Sequence, residues 1–539
     1  MPKRKILLFL FAIFVVQAFG RVLNAQQAVY QYSVKEGDRR VYLWVPPACV
    51  HVRGLVVAFE NMTELSWLNS PIVRSAAAQE CLGIVWIGQG NDSELSAEMS
   101  PSAGLAFLKM QRDLAQISGF PEIAEAPILP TGHSAHGQFA WNFAQWAPQR
   151  TIAAIAVKTV NLPDDLELHG VPFLYIVGQT TEWPQYYDGR LSDRDFVWSA
   201  VRQSALAVRK QHSDAKVAVV VDPGGGHFDW NEKLSRLFAL YLRTACAERL
   251  PRHWTRTEGE SPTLRAVPFS RGWLIGSGGM EPDLNQPAPV GEYKGDPSDA
   301  YWVFDRSVAH AIERIEGDRR PRKLQMLSFV QQGNVLPVAI SGFAALHFES
   351  QGRDSTFHPD PVFLSQIPQQ LVGHGLPLGH AQEKIHLRVL FGPIEQIGPD
   401  SFRFALRRDA GEYGWIEEEA NQTASYRKAV QPARIALPAY PDGIPQQIIF
   451  QPIPSQSQSA ATIALHATSS MGLAVRFYVL SGPAIVVGDH LKIVDFPKGG
   501  VEKIRVLVIA YQLGEPGNGK ERAIQAAKPV LQEFTISRL

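Results

Sequence analysis

Solid apolar runs alternating with stretches of helical spacing fill the first half of the chain. Gly54-Leu55-Val56-Val57-Ala58-Phe59, Leu82 to Ile87, Ile152 to Val157, Pro172 to Val177 and Val217 to Val221 are apolar at nearly every position. That is the pattern of strands covered on both faces. Between them, residues 70–80, Gly104 to Ile117, Phe196 to Arg209 and Leu234 to Leu250 read as helices; Leu105, Leu108, Leu114 and Ile117 mark the apolar face of the second. Ahead of all these, Val29 to Val34 and Arg40 to Val45 flank Glu36-Gly37-Asp38 and predict a hairpin. The alternation predicts a mostly parallel sheet with helices on both faces, the hairpin forming an antiparallel edge, as one α/β domain over 26–250.

The pattern changes from about Arg252. Pro, Gly and polar residues increase up to about Gly295, and a helical piece follows at Tyr301 to Ile315, so 251–319 is expected to be an irregular and helical connection. Leu324 to Val330, Val335 to Ile340, Ile385 to Leu390 and Ser401 to Leu406 suggest a β-rich module over 320–437. Residues 438–459 read as a Pro/Gln/Ser-rich linker with one strand-like run, Gln447 to Phe450. Short runs at Thr462 to Ala467, Ala474 to Leu480, His490 to Ile493, Ile504 to Tyr511 and Glu533 to Ile536 predict a β-sandwich over 460–539. No internal repeat stands out.

Composition narrows the function classes. The 539 residues contain 52 Lys and Arg against 52 Asp and Glu. A formal net charge of zero leaves no electrostatic case for nucleic acid or an anionic membrane as partner. Lys3, Arg4 and Lys5 precede the apolar run Ile6 to Val16, the shape of a secretory signal over 1–25, with cleavage after Ala25 or Gly20. That run is too short to span a bilayer, and no later one is long enough. The expected mature protein is exported, to the periplasm or beyond the cell. Such a compartment permits a disulfide among the three cysteines. Cys49 ends one expected strand and Cys81 starts another, so that pair is the choice; the alternative is three buried thiols.

The candidate chemistry centres on Ala126-Pro127-Ile128-Leu129-Pro130-Thr131-Gly132-His133-Ser134-Ala135-His136-Gly137, where an apolar run ends in Gly-x-Ser and a helical pattern starts at once. A strand–turn–helix with serine at the bend is the form of a nucleophile elbow. A serine needs a base, and the base an orienting acid. His227, after three glycines at the end of the run Val217 to Val221, is the expected base. Glu182, beyond the strand ending at Val177, is the expected acid, with Asp188 and then Asp193 as rivals. Backbone N–H groups of Ala135 and of the loop at Glu60, Asn61 and Met62, Asn61 above all, are expected to form the oxyanion hole. His136, Trp183, Tyr186 and Tyr187 are candidates for contact with substrate; His133 is expected to pack beneath the turn. No metal-ligand spacing or phosphate loop occurs, and no cofactor is expected.

These residues resemble the α/β-hydrolase fold: the strand leading into Gly132-His133-Ser134, the later Glu182, and Gly226-His227 before a final helix. Within it the chain is similar to secreted esterases of the polyhydroxybutyrate-depolymerase and feruloyl-esterase kind, over about residues 26–250. The resemblance implies ester hydrolysis through an acyl-serine at Ser134 with His227 as base; polymer- or glycan-linked esters outside the cytoplasm would suit such an enzyme, and the choice between polymer and small molecule stays open. His136 stands where a glycine is commoner. The last eighty residues, through Leu465-His466-Ala467-Thr468-Ser469-Ser470, Val479-Leu480-Ser481-Gly482-Pro483-Ala484 and Val506-Leu507-Val508-Ile509-Ala510-Tyr511-Gln512, resemble bacterial immunoglobulin-like modules, which implies a spacer or attachment role. A second class of function stays open beside the esterase: a catalytically idle, hydrolase-like surface protein that binds a glycan or protein through its β modules.

Overall fold

The computed structural model describes residues 28–90, 94–159, 162–163, 165–178, 197–251, 260–277, 286–316, 322–337, 343–349, 355–369, 373–408, 411–517 and 521–538. Strands β1 (Tyr32–Glu36), β2 (Arg39–Trp44), β3 (Gly54–Phe59), β4 (Leu82–Ile87), β5 (Ile128–His133), β6 (Ala154–Val157), β7 (Phe173–Gly178) and β8 (Val217–Asp222) form one mixed sheet in the order β1-β2-β4-β3-β5-β6-β7-β8. β1 runs antiparallel to β2 and β2 to β4, whereas β3 to β8 are parallel. Helices α1 (Glu64–Leu68), α2 (Pro71–Gln79), α3 (Pro101–Ser118), α4 (Phe139–Trp146), α5 (Val197–Gln211) and α6 (Glu232–Arg249) connect the strands.

The solid apolar runs follow from burial of both faces. Val56 and Ala58 join one cluster with Val73 of α2 and Leu237 of α6. Their neighbours Leu55, Val57 and Phe59 join another with Phe107, Met110 and Leu114 of α3. Each such Val, Leu, Phe or Met side chain contributes about 1.5–3 kcal/mol by its burial. The buried face of α3 differs from the expected one. Leu105 and Ile117 point to solvent, and the buried stripe runs through Phe107, Met110, Gln111, Leu114 and Ser118. Gly104 sets that rotation: a Cβ there would stand 2.6 Å from the Trp146 ring.

The chain does not leave this body at residue 250. Strands β9 (Trp273–Gly276), β10 (Ala288–Pro289) and β11 (Ala300–Val303) form a small antiparallel sheet, followed by α7 (Arg306–Glu316). Leu274, Trp302, Phe304, Val308 and Ile312 enter the same apolar cluster as β6, β7 and β8. The helix expected from Tyr301 therefore begins later. Tyr301 lies in β11, and the Asp305 carboxylate starts α7 by accepting the Val308 N–H at 2.9 Å.

The remaining strands are β12 (Leu327–Gln331), β13 (Asn334–Val335), β14 (Ala344–Leu346), β15 (Thr356–Phe357), β16 (Asp360–Phe363), β17 (His386–Phe391), β18 (Ile394–Gly398), β19 (Ser401–Phe404), β20 (Tyr413–Ala420) and β21 (Ala429–Ala436), then β22 (Ile448–Phe450), β23 (Gln456–Ser457), β24 (Ile463–Ala464), β25 (Ala467–Ser469), β26 (Arg476–Ser481), β27 (Ala484–Val487), β28 (His490–Ile493), β29 (Lys503–Tyr511) and β30 (Val530–Ser537). The stretch expected as a linker is part of the last group: β22 pairs with β25, and β23 lies parallel to β30.

These strands contain a repeat that the sequence reading missed. Sheet β14-β21-β20-β17 has the same order and directions as β23-β30-β29-β26, and β15-β19-β18 the same order as β24-β28-β27. The registers coincide too. His386 to Val389 face Glu419 to Ile416, and Arg476 to Val479 face Tyr511 to Val508. Each ladder then breaks at a bulge, between Val389 and Phe391 in one and between Val479 and Ser481 in the other. We call residues 322–437 the first β module and 440–538 the second. Both pack on the α/β body: Val501 of the second donates its N–H to the Ser118 carbonyl, and the first reaches the loop after β8.

Candidate active site

β5 ends at His133, and the chain turns through a 3₁₀ segment, Ser134–Gln138, into α4. Ser134 sits in the left-handed region, with φ +52. A non-glycine residue there stores about 1–3 kcal/mol of strain, the kind found at a nucleophile elbow. The flanking glycines are set by contact. A Cβ on Gly132 would stand 2.2 Å from the His136 carbonyl oxygen, and one on Gly137 2.4 Å from Thr159 Cβ. The glycine one place later than usual is therefore explained by the 3₁₀ turn, which presses residue 137 against Thr159.

The loop after β8 returns His227 to this turn. Its Nε2 lies 3.0 Å from Ser134 Oγ, and its ring centroid 4.6 Å from that of His133. His133 is wholly buried beneath the turn, with Nε2 2.8 Å from the His227 carbonyl oxygen. Burial, and then the Lys158 ammonium, lower the His227 imidazole to about 3, so it is neutral at ordinary pH and its Nε2 can accept a proton. Burial, with His227 next, also holds His133 well below the usual range.

Lys158 was not singled out from the sequence. It follows β6 with φ +45, and its side chain is buried. Its Nζ donates to the carbonyls of Gly226, at 2.5 Å, and Asp229, and lies 3.6 Å from Asp222 Oδ2. One ammonium thus ties down both shoulders of the His227 loop. The available signal was a lone lysine directly after a solid apolar strand.

The expected oxyanion donor at Asn61 is not directed to the serine. Its backbone N–H donates to Glu64 Oε2 at 2.9 Å, and that of Met62 to the same oxygen at 3.0 Å. Glu64 Oε1 accepts the His133 N–H at 2.8 Å. The Glu60 N–H is bound to the Ile87 carbonyl. Glu64 is buried, which pushes its carboxyl up to about 7 against the pull of these backbone donors. Ala135 differs: as the second residue of a helical turn, its N–H has no acceptor within the turn. His136 lies beside Phe59, with Nδ1 2.9 Å from the Glu60 carbonyl oxygen, so one ring nitrogen anchors it to the β3 loop. Glu182, Asp188, Asp193, Trp183, Tyr186 and Tyr187 lie outside the described residues.

Cys49 and Cys81 form a disulfide, S–S 2.11 Å, and Cys246 is a buried thiol. Asp229, Glu417 and Glu419 come close enough to suggest a cation site, but Arg388 and Lys428 already occupy it as ion-pair partners. A cavity of about 710 Å³ opens where the body meets both β modules, lined by Asn69, Trp230, Arg388, Phe391 and Tyr478 among others. Ser134 and His227 are not in its wall.

No family model matches the chain, and no curated protein matches it. Among solved structures it is similar to a thermostable esterase at 15% identity and TM-score 0.26, over 35% of this chain and 53% of that one. It thus spans about half the length of that relative. It is also similar to a poly(3-hydroxybutyrate) depolymerase from Bordetella parapertussis, at 12% identity and TM-score 0.29, over 43% and 94% of the two chains. An S-formylglutathione hydrolase from Agrobacterium tumefaciens matches at 13% identity and TM-score 0.28, over 40% and 93%. The likeness is too shallow to argue from, and the function rests on the geometry.

Proposed function

We propose that the chain is an exported serine hydrolase of the α/β-hydrolase fold that cleaves carboxylic esters through an acyl-serine. One observation carries this reading: a serine in strained, left-handed backbone at the carboxyl end of a parallel strand, with a neutral imidazole nitrogen 3.0 Å from its hydroxyl. In this mechanism His227 Nε2 takes the proton of Ser134 Oγ as that oxygen bonds the ester carbonyl carbon. The same nitrogen returns the proton to the leaving alkoxide as the alcohol departs. Water then repeats the sequence on the acyl-serine. The Ala135 N–H holds the oxyanion. The acid role falls to Glu182 or Asp188, on the strength of their place after β7 in the sequence.

Export is supported by the basic and apolar N-terminal pattern and by the Cys49–Cys81 disulfide, a bond suited to an oxidising compartment. Polymer- or glycan-linked esters are the proposed substrate class, on the resemblance alone. The idle-scaffold reading has less support, because the first β module is committed to the His227 loop rather than held free for a ligand.

The test compares p-nitrophenyl acetate hydrolysis by the wild type and Ser134→Ala. The expected loss is roughly 10⁴-fold or more, with fluorophosphonate labelling of the wild type only. Equal background rates in both proteins would refute the reading.

A further inference from the structure

The loop that carries His227 is gripped from two sides. From below, Lys158 binds the Gly226 and Asp229 carbonyls. From outside, the first β module reaches in. Arg388, on β17, donates Nη1 to the Trp230 carbonyl at 3.0 Å and Nη2 to the Asp229 and Glu417 carboxylates. Lys428, just before β21, donates to Asp229 Oδ2 at 2.9 Å. Backbone packing follows the charges, since a Cβ on Gly224 would stand 2.6 Å from Lys428 Cβ. Phe228, the neighbour of His227, packs against Trp415, with ring centroids 5.1 Å apart.

Asp229 is fully buried, two residues from the base. Burial alone would raise its carboxyl; Lys428, Arg388 and Lys158 outweigh that and hold it below the usual range. A buried carboxylate with these partners is a rigid joint, because moving it away from either cation strands a charge in a low-dielectric site.

We propose that Arg388 and Lys428 are positioning residues for the His227 base, acting through Asp229, so that the first β module is a working part of the active site. The inference rests on the serine-hydrolase reading only for its kinetic arm. The module fixes the loop so that Nε2 meets the Ser134 hydroxyl, and a loop left to Lys158 alone samples other positions. Displacements of an ångström in such a pair cost up to about a hundredfold in rate.

Full-length Lys428→Met, Lys428→Arg and the paired variant Arg388→Tyr/Glu417→Ile test it. The pair carries the residues that stand at the same register of the second module, so the β ladder has an apolar solution available. For Lys428→Met and the pair, kcat on p-nitrophenyl acetate is expected to fall roughly tenfold to a hundredfold with KM little changed. Hydrogen exchange is expected to rise about tenfold in residues 222–231 and to stay unchanged in β3 to β7. Lys428→Arg restores both. If either the rate or the loop's exchange stays at the wild-type value, or exchange rises throughout the body with no rescue by Lys428→Arg, the proposal is overturned. Should the wild type prove inactive, the serine-hydrolase reading fails first, and the exchange data alone decide whether the module orders the loop.

Discussion

At one point of its ladder the first β module pairs Arg388 with Glu417; at the same register the second pairs Tyr478 with Ile509. The neighbours differ in the same sense: Glu418 and Glu419 in the first stand where the second has Ala510 and Tyr511. Strand order, direction and the bulge are shared. The framework therefore does not need these charges, and burying them opposes folding unless they are paired. What differs is the neighbour. β17 and β20 carry Arg388 and Glu417 toward Asp229 on the His227 loop, whereas Tyr478 and Tyr511, ring centroids 6.0 Å apart, pack on the apolar core of the first module. The contrast separates what makes the fold from what was added to serve the site.

The comparison breaks most readily at its charged member. Arg388→Met leaves the buried Asp229 carboxylate with one cation fewer, and removing one partner of a buried ion pair typically costs about 3–5 kcal/mol. Tyr478→Met, at the matching place, trims a half-buried ring and strands no charge, and is expected to cost about 1 kcal/mol. Urea unfolding of both variants checks this. Equal losses would mean that Arg388 serves the ladder and not the loop.

A change that treats the modules alike sharpens the comparison. Gly392 and Gly482 follow the shared bulge, with φ +87 and +129. A Cβ would meet the Tyr413 carbonyl oxygen at 2.2 Å in the first and Val506 Cα at 2.9 Å in the second. Alanine at either place combines clash with a backbone disfavoured for L residues, and about 1–3 kcal/mol is expected from each. If only one module suffered in thermal unfolding, the shared plan would be superficial.

Ser134 and His227 were legible because each sits in a local pattern, an apolar strand followed by a turn of small residues, that the chain cannot easily use otherwise. Glu64 was equally local. It stands three residues after Asn61, close enough for a first-turn acid to capture the loop's backbone N–H groups, and the bond it forms directs the Asn61 N–H away from the serine. Arg388 and Lys428 gave no such signal, since their partner Asp229 lies far away in the chain. Glu417-Glu418-Glu419 inside a strand was a clue, because consecutive acids in a largely buried ladder ask for a cation or a proton. The repeat was hidden because burial pattern, not identity, defines the strands. Its trace is Val389-Leu390-Phe391-Gly392-Pro393 against Val479-Leu480-Ser481-Gly482-Pro483, in which four of five residues agree.

The last test of the comparison concerns pH. Burial raises the Glu417 carboxyl to about 8; Arg388 opposes the rise and the Asp229 charge adds to it. Asp229, which both Arg388 and Lys428 reach, keeps the negative charge, and Glu417 keeps the proton. A folded-state value above the unfolded one near 4.5 means that the native protein holds a proton which the unfolded chain releases. The resulting stability is full below 4.5, declines as pH rises, and is gone above about 8. The slope for one group is about 1.4 kcal/mol per pH unit. Ile509, at the matching place in the second module, has nothing to titrate. Glu417→Gln keeps the shape and removes the proton equilibrium, so its unfolding free energy should fall less steeply than the wild type's between pH 6 and 8. Parallel curves for the two proteins would place the charge on Glu417 itself, and Arg388 would then be shared between two anions instead of being aimed at Asp229.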